Sequence, residues 1–160
     1  MTIKKVLKFL ILIIMLTPLS CGFKVLDRSQ SNNFSIKSIS TDGHKRIGYK
    51  IKNNLLVSSG EEQQNQIIIN LKVDKSKSIK EKNIKNEVKK YQINLKVNLT
   101  FYRFEETEDK EVINLNITGD YSVDQVHSRT IANEKKLIDN LTENISEKLI
   151  DEIDIRLNDI

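Results

Sequence analysis

The side chain with the clearest chemical use is a single thiol. Cys21 is the only cysteine, and it follows Lys4, Lys5 and Lys8, an unbroken apolar run at 9–16 (FLILIIML), and then Thr17, Pro18, Leu19 and Ser20. A positive start, a short apolar run and a small residue before a cleavage point form a secretion signal. The run is too short to span a bilayer, which takes ~20 apolar residues. One cysteine cannot close an internal disulfide, so in this position its thiol reads as an acylation site rather than a redox or metal group. The expected processing removes residues 1–20 as a signal peptide and leaves Cys21 as a lipidated N-terminus, with 21–33 a polar tether ahead of the fold.

Other groups capable of chemistry are sparse. His44 and His127 are the only histidines, and neither has a second His or Cys at metal-ligand spacing. His127, beside Ser128, reads as a loop residue ahead of the last helix. The five glycines are scattered, so no phosphate-cradling loop is present in the sequence. The acidic run at 105–111 (EETEDKE) lacks the ligand spacing of a calcium loop and reads as a solvated turn. No nucleophile, carboxylate pair or ligand set suggests catalysis. The expectation is a protein that is not an enzyme, with no metal and no cofactor beyond the covalent diacylglyceryl and N-acyl lipid on Cys21.

The charge is divided along the chain. Formal net charge is +4, with 26 basic and 22 acidic residues, and the three signal lysines account for most of the excess. From Cys21 to Phe104 there are 17 basic and 7 acidic residues, whereas from Glu105 to Ile160 there are 6 and 15. Such a split either creates a polarised surface or is neutralised across the fold. No nucleic-acid partner is expected from it.

The elements that hold these residues follow from hydrophobic period. Phe34, Ile36 and Ile39 suggest a short first strand. Ile47, Ile51 and Leu55, with Leu56 beside them, put one apolar stripe on a helix, with Asp42 as N-cap and Gly60 as terminator. Ile67, Ile69, Leu71 and Val73 open a second strand, after which 75–90 (KSKSIKEKNIKNEVKK) reads as a long hairpin connection or splayed strand ends. Tyr91, Ile93, Leu95, Val97, Leu99 and Phe101 alternate strictly with polar residues, and Ile113, Leu115, Ile117, Gly119, Tyr121 and Val123 repeat the pattern, which makes an antiparallel hairpin. From about Thr130 the period becomes helical, through Ile131, Ile138, Leu141, Ile145, Leu149, Ile153 and Leu157. The predicted fold is α+β, with two helices on one face of a four-stranded, mostly antiparallel sheet in the order β-α-β-β-β-α, forming a single domain over 34–160. Its other face, with Asn94, Lys96, Asn98, Asn114, Asn116 and Thr118, is left polar.

The junction at Ser20-Cys21 resembles a bacterial lipobox, although Pro18 and Leu19 depart from the usual Leu followed by a small residue; Gly22 rather than Asp after the cysteine resembles outer-membrane sorting. With the element order in place, the chain resembles the LptE family of lipopolysaccharide-assembly lipoproteins, most closely its alphaproteobacterial members. The resemblance is carried by Cys21-Gly22-Phe23-Lys24-Val25-Leu26, where Val25 stands in a position often held by proline, by Gly48, Asn53 and Leu55, and by the final helix at 132–157 (ANEKKLIDNLTENISEKLIDEIDIRL). It implies a lipid-anchored protein on the periplasmic face of the outer membrane that plugs the LptD β-barrel, helps it fold and contacts lipopolysaccharide. Within that implication Lys75, Lys77, Lys80, Lys82, Lys89 and Lys90, with Lys72 and Lys85 nearby, are candidates to meet phosphates or acidic sugars through charge. The alternative expectation is a lipid-anchored adaptor or periplasmic binding domain of another envelope system, because a fold does not dictate a function. Mass spectrometry of the chain recovered from membranes is expected to find residues 1–20 absent and Cys21 acylated, and a Cys21→Ser chain is expected to keep its leader and lose its acyl groups.

Overall fold

The computed structural model describes residues 34–60, 65–104 and 109–158. The signal, Cys21 and the tether lie outside the described residues, as do 105–108 of the acidic turn.

Strict alternation in three segments produces three long strands with one apolar face. The elements are β1 (Ser35–Gly43), α1 (Lys45–Ser58), β2 (Gln66–Lys82), β3 (Val88–Arg103), β4 (Glu111–Ser122) and α2 (His127–Asn158). The four strands form one sheet in the order β1-β2-β3-β4. β1 runs parallel to β2, while β2, β3 and β4 are antiparallel neighbours, so the sheet is mixed at one edge. A parallel first pair needs a crossover, and α1 supplies it.

Both helices cover the same face. Ile47, Ile51 and Leu55 of α1 and Leu141, Ile145, Leu149, Ile153 and Leu157 of α2 are buried with Ile67, Ile69, Leu71, Val73, Ile93, Leu95, Val97, Leu99, Phe101 and Ile113 of the sheet. Each fully buried aliphatic or aromatic side chain contributes about 1.5–3 kcal/mol. α2 has 32 residues, about 48 Å at ~1.5 Å per residue, long enough to lie across the sheet. Thr142 and Ser146 sit in its buried stripe, with their hydroxyls donating to the carbonyls of Ile138 and Thr142 one turn back, at 2.6 and 2.7 Å. The Asn54 amide of α1 donates to the Ser146 hydroxyl at 3.1 Å, and small residues there let the two helices meet.

Several boundaries differ from the sequence reading, each for a local reason. The spacing from Ile36 to Ile39 is odd because a bulge lies between Ile36 and Ser38. Asp42 stays within β1 and its carboxylate accepts from the Gly43 amide at 2.8 Å; the α1 N-cap is His44, whose Nδ1 accepts from the Ile47 amide at 3.4 Å. α1 ends before Gly60, with the Ser59 hydroxyl donating to the Leu56 carbonyl, and the Gly60 amide donates to the Phe34 carbonyl instead. His127 opens α2 rather than preceding it. Ile131, placed in the apolar stripe by its spacing, is exposed. The lysine-rich stretch is neither loop nor splayed ends: both strands run through it, and only 83–87 turns the chain.

Gly43 is where the parallel pair and the helix are tied together. Its φ is +83°, and a Cβ there would lie 2.2 Å from the Val73 carbonyl oxygen, the same oxygen that accepts from the His44 amide at 2.7 Å. Gly48, by contrast, would place a Cβ 3.6 Å from Thr41, an ordinary packing distance. Urea unfolding is therefore expected to show Gly43→Ala destabilised by at least about 2 kcal/mol through left-handed backbone strain and the clash. Gly48→Ala is expected to be stabilised by about 0.5–1 kcal/mol through helix propensity.

Candidate functional site: the hairpin arm and the open sheet face

β1 stops opposite Val73, while β2 and β3 continue as an arm beyond it. The arm's tip is built by Asn83, whose amide donates to the Glu87 carbonyl and whose side-chain oxygen accepts from the Lys85 and Glu87 amides at 3.0 and 2.9 Å. Asn86 holds the left-handed turn position at φ 64°, a conformation asparagine tolerates. Ile84 stands fully exposed at the apex.

The six candidate lysines all lie on this arm, but the pleat divides them. Lys75 and Lys77 pair with Leu95 and Ile93 across the ladder, so they emerge on the helix-covered face. There Glu134 of α2 takes both, with Lys77 at 2.8 Å and Lys75 at 3.9 Å. Lys80 emerges on the open face and reaches Asp120 at 3.6 Å. Lys90 pairs with Glu81 at 2.6 Å and Lys89 with Glu87 at 3.5 Å. Lys82 donates to the neutral Asn86 side chain at 2.9 Å, and neither Lys82 nor Lys85 has a carboxylate partner among the described residues.

Lys77 belongs to a cluster that the spacing of lysines did not reveal. Tyr91 and Tyr121 are cross-strand partners with rings stacked at 5.7 Å. The Lys77 ammonium lies 4.2 Å from the Tyr91 centroid and 5.2 Å from that of Tyr121, within cation–π range. The Tyr121 hydroxyl donates to Glu134 at 2.7 Å. Burial opposes the charged form of Glu134, yet hydrogen bonds from Lys77 and Tyr121 hold its carboxyl below the usual range. Burial likewise opposes the charge on Lys77, and the bond to Glu134 carries its pKa above normal. The alternation already put Tyr91 and Tyr121 on the apolar face; what it could not supply was the helix register that delivers Glu134.

A cleft of about 320 Å³ opens beside this cluster between the two helices, lined by His44, Arg46, Lys50, Lys75, Ile131 and Lys135 among others. Lys50 is held by Asp139 at 2.8 Å, and this hydrogen bond depresses the Asp139 carboxyl despite its partial burial.

The sheet face away from the helices is polar across its width. Ser40 donates to Asn70 at 2.6 Å, Gln92 to Asp120 at 3.1 Å, and the Asn98 amide to the Asn114 side chain. A shallow basin at its centre is lined by Lys72, Asp74, Lys96, Asn98, Asn114 and Asn116. At the end remote from the arm the same face turns apolar through Ile68, Tyr102, Phe104 and Val112, with the Lys37 ammonium seated over the Phe104 ring. His44 and His127 act at helix starts, and among the described residues no group of three or more His, Cys, Asp or Glu is placed to hold a metal ion. No helix among those residues is long and apolar enough to cross a membrane.

This two-layer arrangement occurs in solved proteins. Lipoprotein B from Nitrosomonas europaea superposes with a TM-score of 0.62 at 9% identity, covering 81% of this chain and 90% of that one. The rare lipoprotein B from Shewanella oneidensis gives 0.50 at 13% identity, covering 76% and 94%. A minor lipoprotein from Acinetobacter baumannii gives 0.50 at 10% identity, again covering 76% and 94%. The chain has the fold of these lipoproteins. No family model and no curated protein matches the sequence. At these identities the likeness is one of fold, and it spans nearly the whole of each lipoprotein domain.

The Glu134 cluster has a pH signature. A carboxyl depressed in the folded state stabilises the protein fully above its ordinary value of 4.5, and that stability is lost as pH falls through the depressed value. Urea midpoints measured from pH 7 to pH 3 are expected to fall steeply at the acid end for the native chain and less steeply for Glu134→Gln, which should already be weaker at pH 7.

Proposed function

We propose that this protein is an outer-membrane lipoprotein, anchored by acyl chains on Cys21, that serves as the plug and assembly partner of the LptD barrel in lipopolysaccharide insertion. The observation that carries the reading is the asymmetry of the sheet. One face is closed by two helices, while the other, from Ser40 to Asp120, offers a broad polar surface with few exposed apolar side chains. Such a face suits the hydrated wall of a barrel lumen, which is lined by polar side chains. Two further features support it. The fold is shared with three bacterial lipoproteins over 90–94% of their length, and the leader ends in a lipobox-like Ser20-Cys21.

The role is non-catalytic. Lipopolysaccharide contact falls to the end of the arm, where Lys82 and Lys85 keep uncompensated charge beside the exposed Ile84, rather than to Lys75 and Lys77, which Glu134 already occupies. Internal pairing of Lys80, Lys89 and Lys90 is the one observation that favours the second reading, a lipid-anchored periplasmic adaptor or binding domain of another envelope system.

Affinity purification from detergent-solubilised outer membranes separates the two readings. The plug reading expects a large barrel protein in stoichiometric yield; recovery of periplasmic partners alone would favour the adaptor. Charge reversal of Lys82 and Lys85 to Glu is expected to weaken lipopolysaccharide binding by roughly tenfold at low salt, with unfolding unchanged. Equal binding by this variant would remove the arm tip from the site without touching the barrel assignment.

A further inference from the structure

We propose that the outer edge of β4 between Asn114 and Asp120 is a strand-addition site, taking one extended segment of alternating apolar and uncharged polar residues from a partner polypeptide, paired antiparallel. The inference goes beyond the plug reading and does not depend on it.

The backbone directions come first. Val123 donates to the Lys89 carbonyl at 2.9 Å, and the β3–β4 register runs without a shift from Lys90↔Ser122 to Phe101↔Glu111. In an antiparallel ladder, residues two apart along a strand point their N–H and C=O the same way. Odd-numbered residues of β4 therefore bond to β3, and the N–H and C=O of Asn114, Asn116, Thr118 and Asp120 point outward. Each end of that row is capped by α2. Arg156 donates to the Val112 carbonyl at 3.2 Å, and the Asn133 side chain donates to the Ser122 carbonyl at 3.2 Å. What lies between is a slot four outward residues long.

The free edges of the sheet are treated differently. β1, at the side opposite β4, is interrupted by the bulge between Ile36 and Ser38 and carries Lys37 and Asp42, both guards against pairing. β2 beyond Val73 also lacks a neighbour on one side, and it carries Lys75, Lys77, Lys80 and Lys82, the usual guard against edge-to-edge pairing. β4 has no charged residue from Val112 to Gly119 and no proline. Its residues are rich in β-formers, and an edge of that composition is an association site unless something covers it. Leu115 and Ile117 are only half-buried, packed at the margin of the core, so an added strand with apolar residues on the helix side would complete their burial.

The position of α2 selects the occupant. Because Arg156 and Asn133 reach round to the outer carbonyls of β4, the helix overhangs this edge. A partner strand bearing its own helix on that side, as a second copy of this chain would, meets α2; a bare extended segment does not. The caps at Val112 and Ser122 are symmetric about Ile117, so the β4 sequence itself fits the slot antiparallel, Ile117 opposite Ile117 and Leu115 opposite Gly119.

The probe is therefore the capped synthetic peptide of residues 111–122 (EVINLNITGDYS), added to the full chain in detergent. Saturable binding is expected, with amide exchange at Asn114, Asn116, Thr118 and Asp120 slowed at least tenfold. Methylation of the peptide nitrogens at its Asn114, Asn116 and Thr118 positions should abolish binding, while methylation at Leu115 and Ile117 should preserve it; the protein is unchanged in both arms. Asn116→Pro in the protein removes an outward donor without costing a β3 bond and should weaken binding at least tenfold. Exchange unaltered by the peptide, or equal binding of both methylated peptides, would overturn the proposal. A dimer in sedimentation without peptide, lost in Asn116→Pro, would overturn the choice of occupant in favour of a second copy.

Discussion

Burial of one face of a four-stranded sheet beneath two helices is the constraint from which the rest follows. Period-two alternation in β2, β3 and β4 gives each strand one apolar edge of side chains, and a sheet so made must find a cover. The cover comes from both ends of the domain: α1, which the parallel β1–β2 crossover requires, and α2, which follows β4. Two helices fill the area over one face of the four strands, and among the described residues no element lies on the second face. That face is polar from Ser40 to Asp120 and turns apolar only at the end remote from the arm, around Phe104 and Val112.

Electrostatics fasten the same two layers. The basic first half and acidic second half of the sequence meet as Lys50–Asp139, Lys75–Glu134, Lys77–Glu134 and Lys80–Asp120. Exposed pairs of this kind contribute little individually. The exception is the Glu134 cluster, where two tyrosine rings displace water around Lys77 and the carboxylate. Its position at the root of the arm anchors the long β2–β3 hairpin to α2, and the consequence for function is that the arm's free charge is concentrated at its tip.

The fold was largely legible because hydrophobic period is a local property. Ile93 to Phe101 and Ile113 to Tyr121 announce their strands, and Ile47, Ile51 and Leu55 their helix. What escaped depends on register between distant elements. No spacing rule brings Glu134 to Lys77, or tells that Lys75 and Lys80 leave the sheet on opposite faces. Helix ends were misplaced where a tertiary bond overrides a local cap: His44 caps α1 in place of Asp42 because the Val73 carbonyl holds the chain at Gly43. The lysine-rich arm reads as a hairpin connection or splayed strand ends because charge on both faces hides alternation; only Ile79 and Val88 keep a trace of it. The thiol at residue 21 carries the proposed address through its sequence context, a kind of signal that packing neither adds to nor corrects.

The proposed plug role assigns binding to the uncovered sheet face, with the two helices closing the core behind it. Cysteines placed singly at Asn98 and Asn116 on that face, and at Lys148 on the outer side of α2, can be labelled with a membrane-permeant maleimide in intact cells and again after the protein is purified alone. Slow labelling of the sheet-face positions in cells, restored on purification, with Lys148→Cys comparable in both, is what the account predicts. Fast labelling of Asn98→Cys and Asn116→Cys in cells, with protection confined to Lys148→Cys, would contradict it.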